Sequence, residues 1–259
     1  MKTNYHTHTI RCNHARGTDR EYVEAAIQAG IKKLGFSDHV PLHAGLNEID
    51  WFRIAPENTH EYFESLRGLK EEYKNDIEIF IGFEAEYFPS LFNKMIDHLS
   101  DNGCDYIILG QHFLELKPGE EYVDPRDEFE GTKILDLYVK TLIEGMETGL
   151  YSAVAHPDIV NKIYGPELLR DAYRKICEAA KLHSLPVEFN RLGHSTRRDY
   201  PDVAFFEIAA EVGNDIIIGY DAHSPKDLLD FTGYDQCFEI LRGLNANFIE
   251  DIKLIKPHN

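Results

Sequence analysis

Apolar residues in this chain fall into short runs, and most runs are separated by stretches with helical spacing. Seven runs have the length and the β-branched or aromatic character of strands: residues 3–5, 33–36, 77–83, 106–109, 153–155, 185–189 and 215–218. Between them, residues 19–29 open on an acidic turn and stop at Gly30, and residues 56–73 place Tyr62, Phe63, Leu66, Leu69 and Tyr73 near helical spacing. Residues 90–99, 133–148, 166–182 and 203–212 continue the helical pattern, and 226–229 and 234–243 follow the last strand. Strands alternating with helices predict parallel β/α units. Seven such units fit a closed or nearly closed barrel, with a doubly wound open sheet as the competing architecture. Residues 40–54, 114–131 and 191–202 read as long loops, and loops of that length in a compact domain usually carry function.

The chain has 259 residues, 43% of them hydrophobic, which suffices for one large core, so residues 1–259 are expected to form one domain. With 27 basic and 45 acidic residues the net charge is -18, which weighs against a broad grip on nucleic acid. A small anionic substrate stays compatible, because bound cations reverse the field locally. Neither G-x-G-x-x-G nor G-x-x-x-x-G-K-[ST] occurs, so nucleotide binding through those loops is not suggested. Cys12, Cys104, Cys177 and Cys237 form no C-x-x-C pair and read as reduced thiols. The N-terminus has no apolar signal segment, and no run reaches the roughly 18 apolar residues of a membrane span, so a cytoplasmic protein with no membrane partner is expected. The oligomeric state is left open.

The polar residues that end the apolar runs carry the chemistry. In Asn4-Tyr5-His6-Thr7-His8 the histidines are two positions apart, so an extended backbone points both imidazoles the same way and they can grip one ion. Ser37-Asp38-His39 closes the second run and Glu84 the third; His112 follows the fourth, His156 the fifth, and Asp221-Ala222-His223 the seventh. The sixth, ending at Glu188-Phe189-Asn190, is assigned no ligand. In parallel β/α folds, chemistry sits at these C-terminal strand ends. A single histidine there is more often a hydrogen-bonded loop residue, but six of the 13 histidines fall at such ends, which argues for a metal site. His14 lies on the loop after the first run, whereas His60, His98, His183 and His258 read as surface residues. His43 and His194 lie in long loops within reach of the site.

Together, His6-Thr7-His8, Cys12-Asn13-His14-Ala15, Asp38-His39, Glu84, His112, His156 and Asp221-Ala222-His223 resemble, in content and order, the polymerase and histidinol phosphatase (PHP) family. The resemblance implies a distorted (β/α)7 barrel, TIM-barrel-like, holding three divalent metal ions (Zn, Mn or Fe). It implies His6, His8, Glu84 and Asp221 on the first ion, His14, His39 and His223 on the second, and Glu84, His112 and His156 on the third, with Glu84 bridging. Neutral imidazoles suit zinc, iron and manganese, and a carboxylate can span two cations. Glu188-Phe189-Asn190-Arg191-Leu192-Gly193 and Asp199-Tyr200-Pro201 resemble the histidinol-phosphatase subgroup, which implies a phosphomonoesterase acting on histidinol phosphate.

Phosphate ester hydrolysis suits such a site, because cations acidify water and offset charge on phosphoryl oxygens. Asp38, Glu84 and Asp221 are the expected catalytic carboxylates, with Asp38 either protonating the leaving alkoxide or orienting His39. Arg191, Arg197 and Arg198, with Lys162, Arg16 and His43, are the expected substrate contacts, because guanidinium forks match phosphate. Arg197 and Lys162 lead this group by the resemblance, and the loop 191–202 is expected to close over the phosphate. The expected partner is a small phosphorylated substrate rather than nucleic acid. A phosphodiesterase or exonuclease of the same family is the chief rival. A degenerate non-catalytic domain fits less well, since no ligand of the set is missing. An amidohydrolase also fits less well, since His14 and His39 add to the His-x-His pair.

Overall fold

A computed structural model of the chain describes residues 3–42 and 50–258. Strands β1 (Thr3–Asn4), β2 (Lys33–His39), β3 (Glu78–Ala85) and β4 (Tyr106–Leu109) form one parallel sheet in that order. β5 (Leu114–Lys117) and β6 (Glu121–Val123) form a separate antiparallel hairpin. β7 (Val187–Asn190), β8 (Asp215–Gly219) and β9 (Asn247–Phe248) form a second parallel sheet.

Single-residue bridges join the two sheets at both seams. Val154 pairs with Leu109 on one side and Val187 on the other, and Thr7 pairs with Ala222. The second seam carries two hydrogen bonds, His8 N to the Ala222 carbonyl at 2.9 Å and Ala222 N to the His6 carbonyl at 3.2 Å. The parallel sheet therefore curls into the distorted barrel expected of a (β/α)7 chain. The run 153–155 shrinks to the one bridging residue because His156, at φ 28°, turns the backbone and Pro157 lacks an N–H. At the opposite end of the Thr7–Ala222 seam, β9 pairs with β8. Between β1 and β8 the Asn4 side chain replaces a ladder, accepting from Tyr220 N at 3.0 Å and donating to Thr7 Oγ1 at 2.7 Å.

Helices cover the outside: α1 (Asp19–Gln28), α2 (Thr59–Glu72), α3 (Phe92–Asp101), α4 (Lys133–Glu147), α5 (Pro166–Leu182), α6 (Arg191–Thr196), α7 (Val203–Val212) and α8 (Phe231–Gly243). α1 starts at a reciprocal Thr18–Glu21 cap, and α5 has Pro166 in its first turn, where a missing N–H costs nothing. The main core lies between the outer faces of the strands and these helices, and a smaller one, built on Tyr5, Tyr106, Ile108, Ala153, Ala155 and Ile217, fills the barrel. Two expected loops hold structure of their own. The hairpin β5–β6 lies within 114–131, and α6 lies within 191–202, started by Asn190, whose side chain accepts from Gly193 N at 2.8 Å. Among the described residues no helix is long and apolar enough to cross a membrane.

Candidate metal centre

The barrel delivers its polar side chains to one rim. His39 ends β2 and sits in register with Glu84 on β3, while His6 and His8 follow β1 and Asp221 and His223 follow β8. Glu84 lies at the hub. Its Oε1 is 2.7 Å from His156 Nε2 and 3.5 Å from His112 Nε2; its Oε2 is 3.1 Å from His39 Nδ1 and 3.4 Å from His6 Nε2. Asp221 Oδ1 lies 3.0 Å from His8 Nε2 and 3.5 Å from His6 Nε2. Two imidazole pairs face nitrogen to nitrogen, His6 Nε2 to His8 Nε2 at 3.2 Å and His14 Nε2 to His223 Nε2 at 2.8 Å. Ligands held about 2.0–2.1 Å from a shared ion lie about 2.9–3.4 Å apart, so these spacings fit metal coordination. Buried Glu84 Oε2 and His39 Nδ1, which face each other across 3.1 Å, make no hydrogen bond, as groups awaiting a cation would.

Overlapping donor sets follow: His6, His8 and Asp221; His6, Glu84 and His156; His8, His39 and His223; and Cys12, His14 and His223. The expected assignments are thus neighbours in space, with His8 also within reach of the His39–His223 group. Electrostatics divides the cluster. Burial alone would raise Glu84 and Asp221, yet the surrounding histidines hold both carboxyls well below their usual range. Burial alone would lower His6 and His8, but Glu188, Asp221 and Glu84 hold His6 well up, and Asp221 and Asp38 raise His8 to about 9. On the other flank, burial and the nearby His8 push His14 and His39 down and His223 to about 3. One half is rich in carboxylate; the other offers neutral imidazoles.

Backbone choices make room for this cluster. A Cβ on Gly110 would come within 2.0 Å of Glu84 Oε1, and one on Gly219 within 1.6 Å of Glu188 Oε1. His156 (φ 28°) and Asp221 (φ 49°) adopt left-handed conformations that cost about 1–3 kcal/mol each and cluster at functional sites.

The sixth strand end, assigned no ligand, supports one instead. Glu188 is 1% exposed; its Oε1 lies 2.8 Å from His6 Nδ1, and its Oε2 accepts from His156 N at 3.1 Å and Asn190 Nδ2 at 3.0 Å. A proton on His6 Nδ1 leaves Nε2 free to face the cluster. Asp38 corrects the sequence reading. It is fully buried on the outer side of β2, where Thr9 N (3.1 Å) and the Thr9 hydroxyl bond it and its Oδ1 faces His8 Nδ1 at 3.5 Å. It is outside the cavity lining, and adjacent strand residues point to opposite faces, so it reaches His39 only through the backbone, whose N donates to Oδ1 at 2.9 Å, and does not face a leaving group.

Above the cluster opens a cavity of about 390 Å³. Trp51, Phe52 and Phe113 line it near His14 and His39, with Phe52 4.6 Å from the His39 ring. Arg126, Arg198 and Tyr200 also line it, Tyr200 lying 5.6 Å from the His156 ring and receiving a 2.5 Å hydrogen bond from Arg198. Of the expected substrate contacts, Arg198 thus reaches the cavity. Arg197 takes the left-handed cap of α6 (φ 56°), is exposed, and does not line it. Arg191 is buried against Asp230 and over the Tyr220 ring. Lys162 is tied to the Asp158 carbonyl (2.9 Å), Tyr173 and Asp202. Arg16 is exposed and outside the lining; its backbone N donates to the His223 carbonyl at 2.8 Å. His43 lies outside the described residues. Arg126, which the sequence reading passed over, takes a place at the mouth, where Asp124 pairs with its Nε (2.8 Å) and Nη2, so it differs from Arg191 and Lys162 in lining the cavity and not in lacking an acidic partner.

Comparison with known proteins agrees with this geometry. Residues 4–192 match the PHP domain family. A probable histidinol-phosphatase of Deinococcus radiodurans is 29% identical over 231 residues, covering 86% of this chain and 86% of that protein. The histidinol-phosphatase of Bacillus subtilis is 23% identical, covering 88% of this chain and 96% of that protein. Among solved structures, histidinol phosphate phosphatase from Lactococcus lactis, complexed with zinc, L-histidinol and phosphate, superposes with a TM-score of 0.74 at 19% identity, covering 96% of this chain and 95% of that one.

Proposed function

The chain belongs to the PHP domain family, and from that premise we propose that it is a metal-dependent phosphomonoesterase hydrolysing L-histidinol phosphate to L-histidinol and phosphate. The observation that carries the reading is the convergence on Glu84 of five imidazoles, those of His6, His8, His39, His112 and His156, with Asp221 beside them, under a cavity of about 390 Å³. In this reading residues 1–259 act as one cytoplasmic catalytic unit on a small substrate, not on nucleic acid. His6, His8, Glu84 and Asp221, then His14, His39 and His223, and then Glu84, His112 and His156 hold three divalent ions. When bound, such ions supply Lewis acidity, which acidifies water and offsets phosphoryl charge.

The chain's own residues do the rest. Glu188 accepts a hydrogen bond from His6 Nδ1 and so leaves Nε2 facing Glu84 and Asp221, where it would serve as a ligand. Arg126 and Arg198 meet phosphate oxygens with N–H donors, and Tyr200, whose hydroxyl burial holds well above its usual pKa, stays protonated and able to donate. Trp51, Phe52 and Phe113 offer ring faces to the imidazole of the leaving group and exclude water around it. The names of the Deinococcus and Bacillus relatives and the histidinol and phosphate in the Lactococcus complex support the substrate.

A second reading, hydrolysis of another small phosphorylated metabolite, is favoured by Arg126 and Arg198 at the mouth, since histidinol brings an ammonium toward two guanidiniums. The test is kcat/KM of the manganese- or zinc-loaded protein on histidinol phosphate, on a panel of anionic sugar and amino-acid phosphates, and on a bis-nitrophenyl phosphodiester. Preference for histidinol phosphate supports the first reading. A higher kcat/KM on an anionic phosphomonoester selects the second, and preference for the diester overturns both.

A further inference from the structure

The turn after β1 carries a donor that the chemistry above leaves unused. Thr9 caps a short 3-10 turn, Ile10–Cys12, and Asn13 adopts a left-handed conformation (φ 66°). Asn13 Nδ2 ties this turn to the Trp51 carbonyl at 2.9 Å. The turn holds Cys12 and His14 close together: Cys12 Sγ lies 4.0 Å from His14 Nε2 and is fully buried. Cys12, His14 and His223 form a set whose ligand atoms all lie within 4.8 Å of one another, with no carboxylate among them. His14 and His223 present Nε2 to Nε2 at 2.8 Å. His39 joins His8 and His223 in an overlapping set, and Cys12 also groups with His8 and Asp38.

We propose that Cys12 is a ligand of the ion held by His14 and His223, and that its sulfur makes this position selective for thiophilic cations such as zinc, iron(II) or cobalt(II) over manganese or magnesium. The inference rests on the reading of the histidine cluster as a metal centre. For an ion about 2.3 Å from sulfur and about 2.0–2.1 Å from nitrogen in tetrahedral geometry, the S···N separation is about 3.6 Å. The 4.0 Å found here differs from it by an amount that a small χ1 rotation supplies. On binding, the thiol proton passes to solvent and a sulfur lone pair enters the coordination sphere; nothing is oxidised or reduced. Thiolate is the soft donor in a site otherwise built of imidazole and carboxylate, so it biases this one position and leaves the carboxylate half permissive.

The experiment titrates the metal-free full chain with cobalt(II) and follows absorption. The expected result is a near-ultraviolet thiolate-to-cobalt charge-transfer band, lost in Cys12→Ser and retained in Cys104→Ala, Cys177→Ala and Cys237→Ala, with Cys12→Ser also losing preference for zinc over manganese in competition. Full cobalt loading without the band, or a band that survives in Cys12→Ser, overturns the assignment of Cys12 while the metal centre stands. Failure of the chain to bind cobalt at all overturns both. Should Cys12→Ser not fold, the wild-type spectrum and the three alanine variants still decide. A band that requires Cys104, Cys177 or Cys237 removes Cys12 from the site.

Discussion

Replacing Glu188 by Gln probes how the barrel orients a ligand it does not itself supply. The carboxylate accepts on both oxygens, from His6 Nδ1 at 2.8 Å through Oε1 and from His156 N at 3.1 Å and Asn190 Nδ2 at 3.0 Å through Oε2. Glutamine keeps the shape but turns one acceptor into a donor. With its oxygen toward His6, its NH₂ faces two N–H donors in a site 1% exposed. With the amide flipped, NH₂ faces His6 Nδ1 and drives the proton to Nε2, removing the lone pair that faces Glu84 and Asp221. Neither orientation satisfies the pocket, and an unmatched buried donor costs about 1–3 kcal/mol. For a chain of this size each kcal/mol lowers Tm by about 2–4 °C. Loss of a carboxylate behind a metal-bound histidine typically weakens metal affinity about 10–100-fold. Expected results are a lower Tm for the metal-free variant and a metal affinity reduced by that factor in chelator competition. Gly219→Ala, whose Cβ would stand 1.6 Å from Glu188 Oε1, displaces the same carboxylate and should do at least as much damage. Wild-type metal affinity in Glu188→Gln would refute the reasoning, because His6 would then need no partner at Nδ1.

Glu84→Gln should lose more metal and more activity than any single histidine replacement, because Glu84 faces His6, His8, His39, His112 and His156 together; elemental analysis beside kcat checks this. Arg198→Met and Arg126→Met should each reduce kcat/KM on histidinol phosphate with metal content intact, by the roughly 1.5–3 kcal/mol of a charge-assisted hydrogen bond, whereas Arg197→Met should leave it near wild type. Arg191→Met should lower stability without moving KM. Burial opposes ionisation of Asp230, but its bond to Arg191 holds the carboxyl below its ordinary value. That contribution is present above the unfolded-state pKa of about 3.9 and is lost as pH falls through the folded value. The variant should therefore show a shallower loss of stability between neutral pH and pH 3 in acid titrations followed by circular dichroism, and an unchanged acid limb would remove Arg191–Asp230 from the account.

The alternation of strands and helices was readable because each element carries its own local signal. The bounds of α5 and α7 agree with the periodic pattern since Pro166 opens one, while an Asp202 side-chain cap and left-handed Gly213 delimit the other. The clustering of the candidate donors was readable for a related reason: all but His14 lie at the end of an apolar run, so position along the chain already places them at the rim. The hairpin β5–β6 was hidden because its strands, four and three residues long, are too short for their alternation to stand out, and α6 because six residues are too few to show a period.

What stayed out of reach depends on partners remote in sequence or on single backbone angles. Glu188 reads as an ordinary strand residue until the fold brings it to His6, 182 positions away, and to the gap left by Gly219. Arg197 and Arg198 are equivalent in composition and both exposed, but the first takes the left-handed cap at 197 and only the second lines the cavity mouth. Arg191 and Lys162 drop out because Asp230, Tyr173 and Asp202 engage them. In a chain carrying -18, most cations find a carboxylate nearer than any substrate, so basic residues in a loop are weak signals of phosphate binding. Histidines behave differently. Where buried imidazoles face one another nitrogen to nitrogen, as His6 and His8 do at 3.2 Å, hydrogen bonding satisfies at most one of the two lone pairs, and a shared cation satisfies both. A charged loop has many structural uses and a rim of facing imidazoles has few, so the candidate metal centre was legible in this chain while the cations that line its cavity were not.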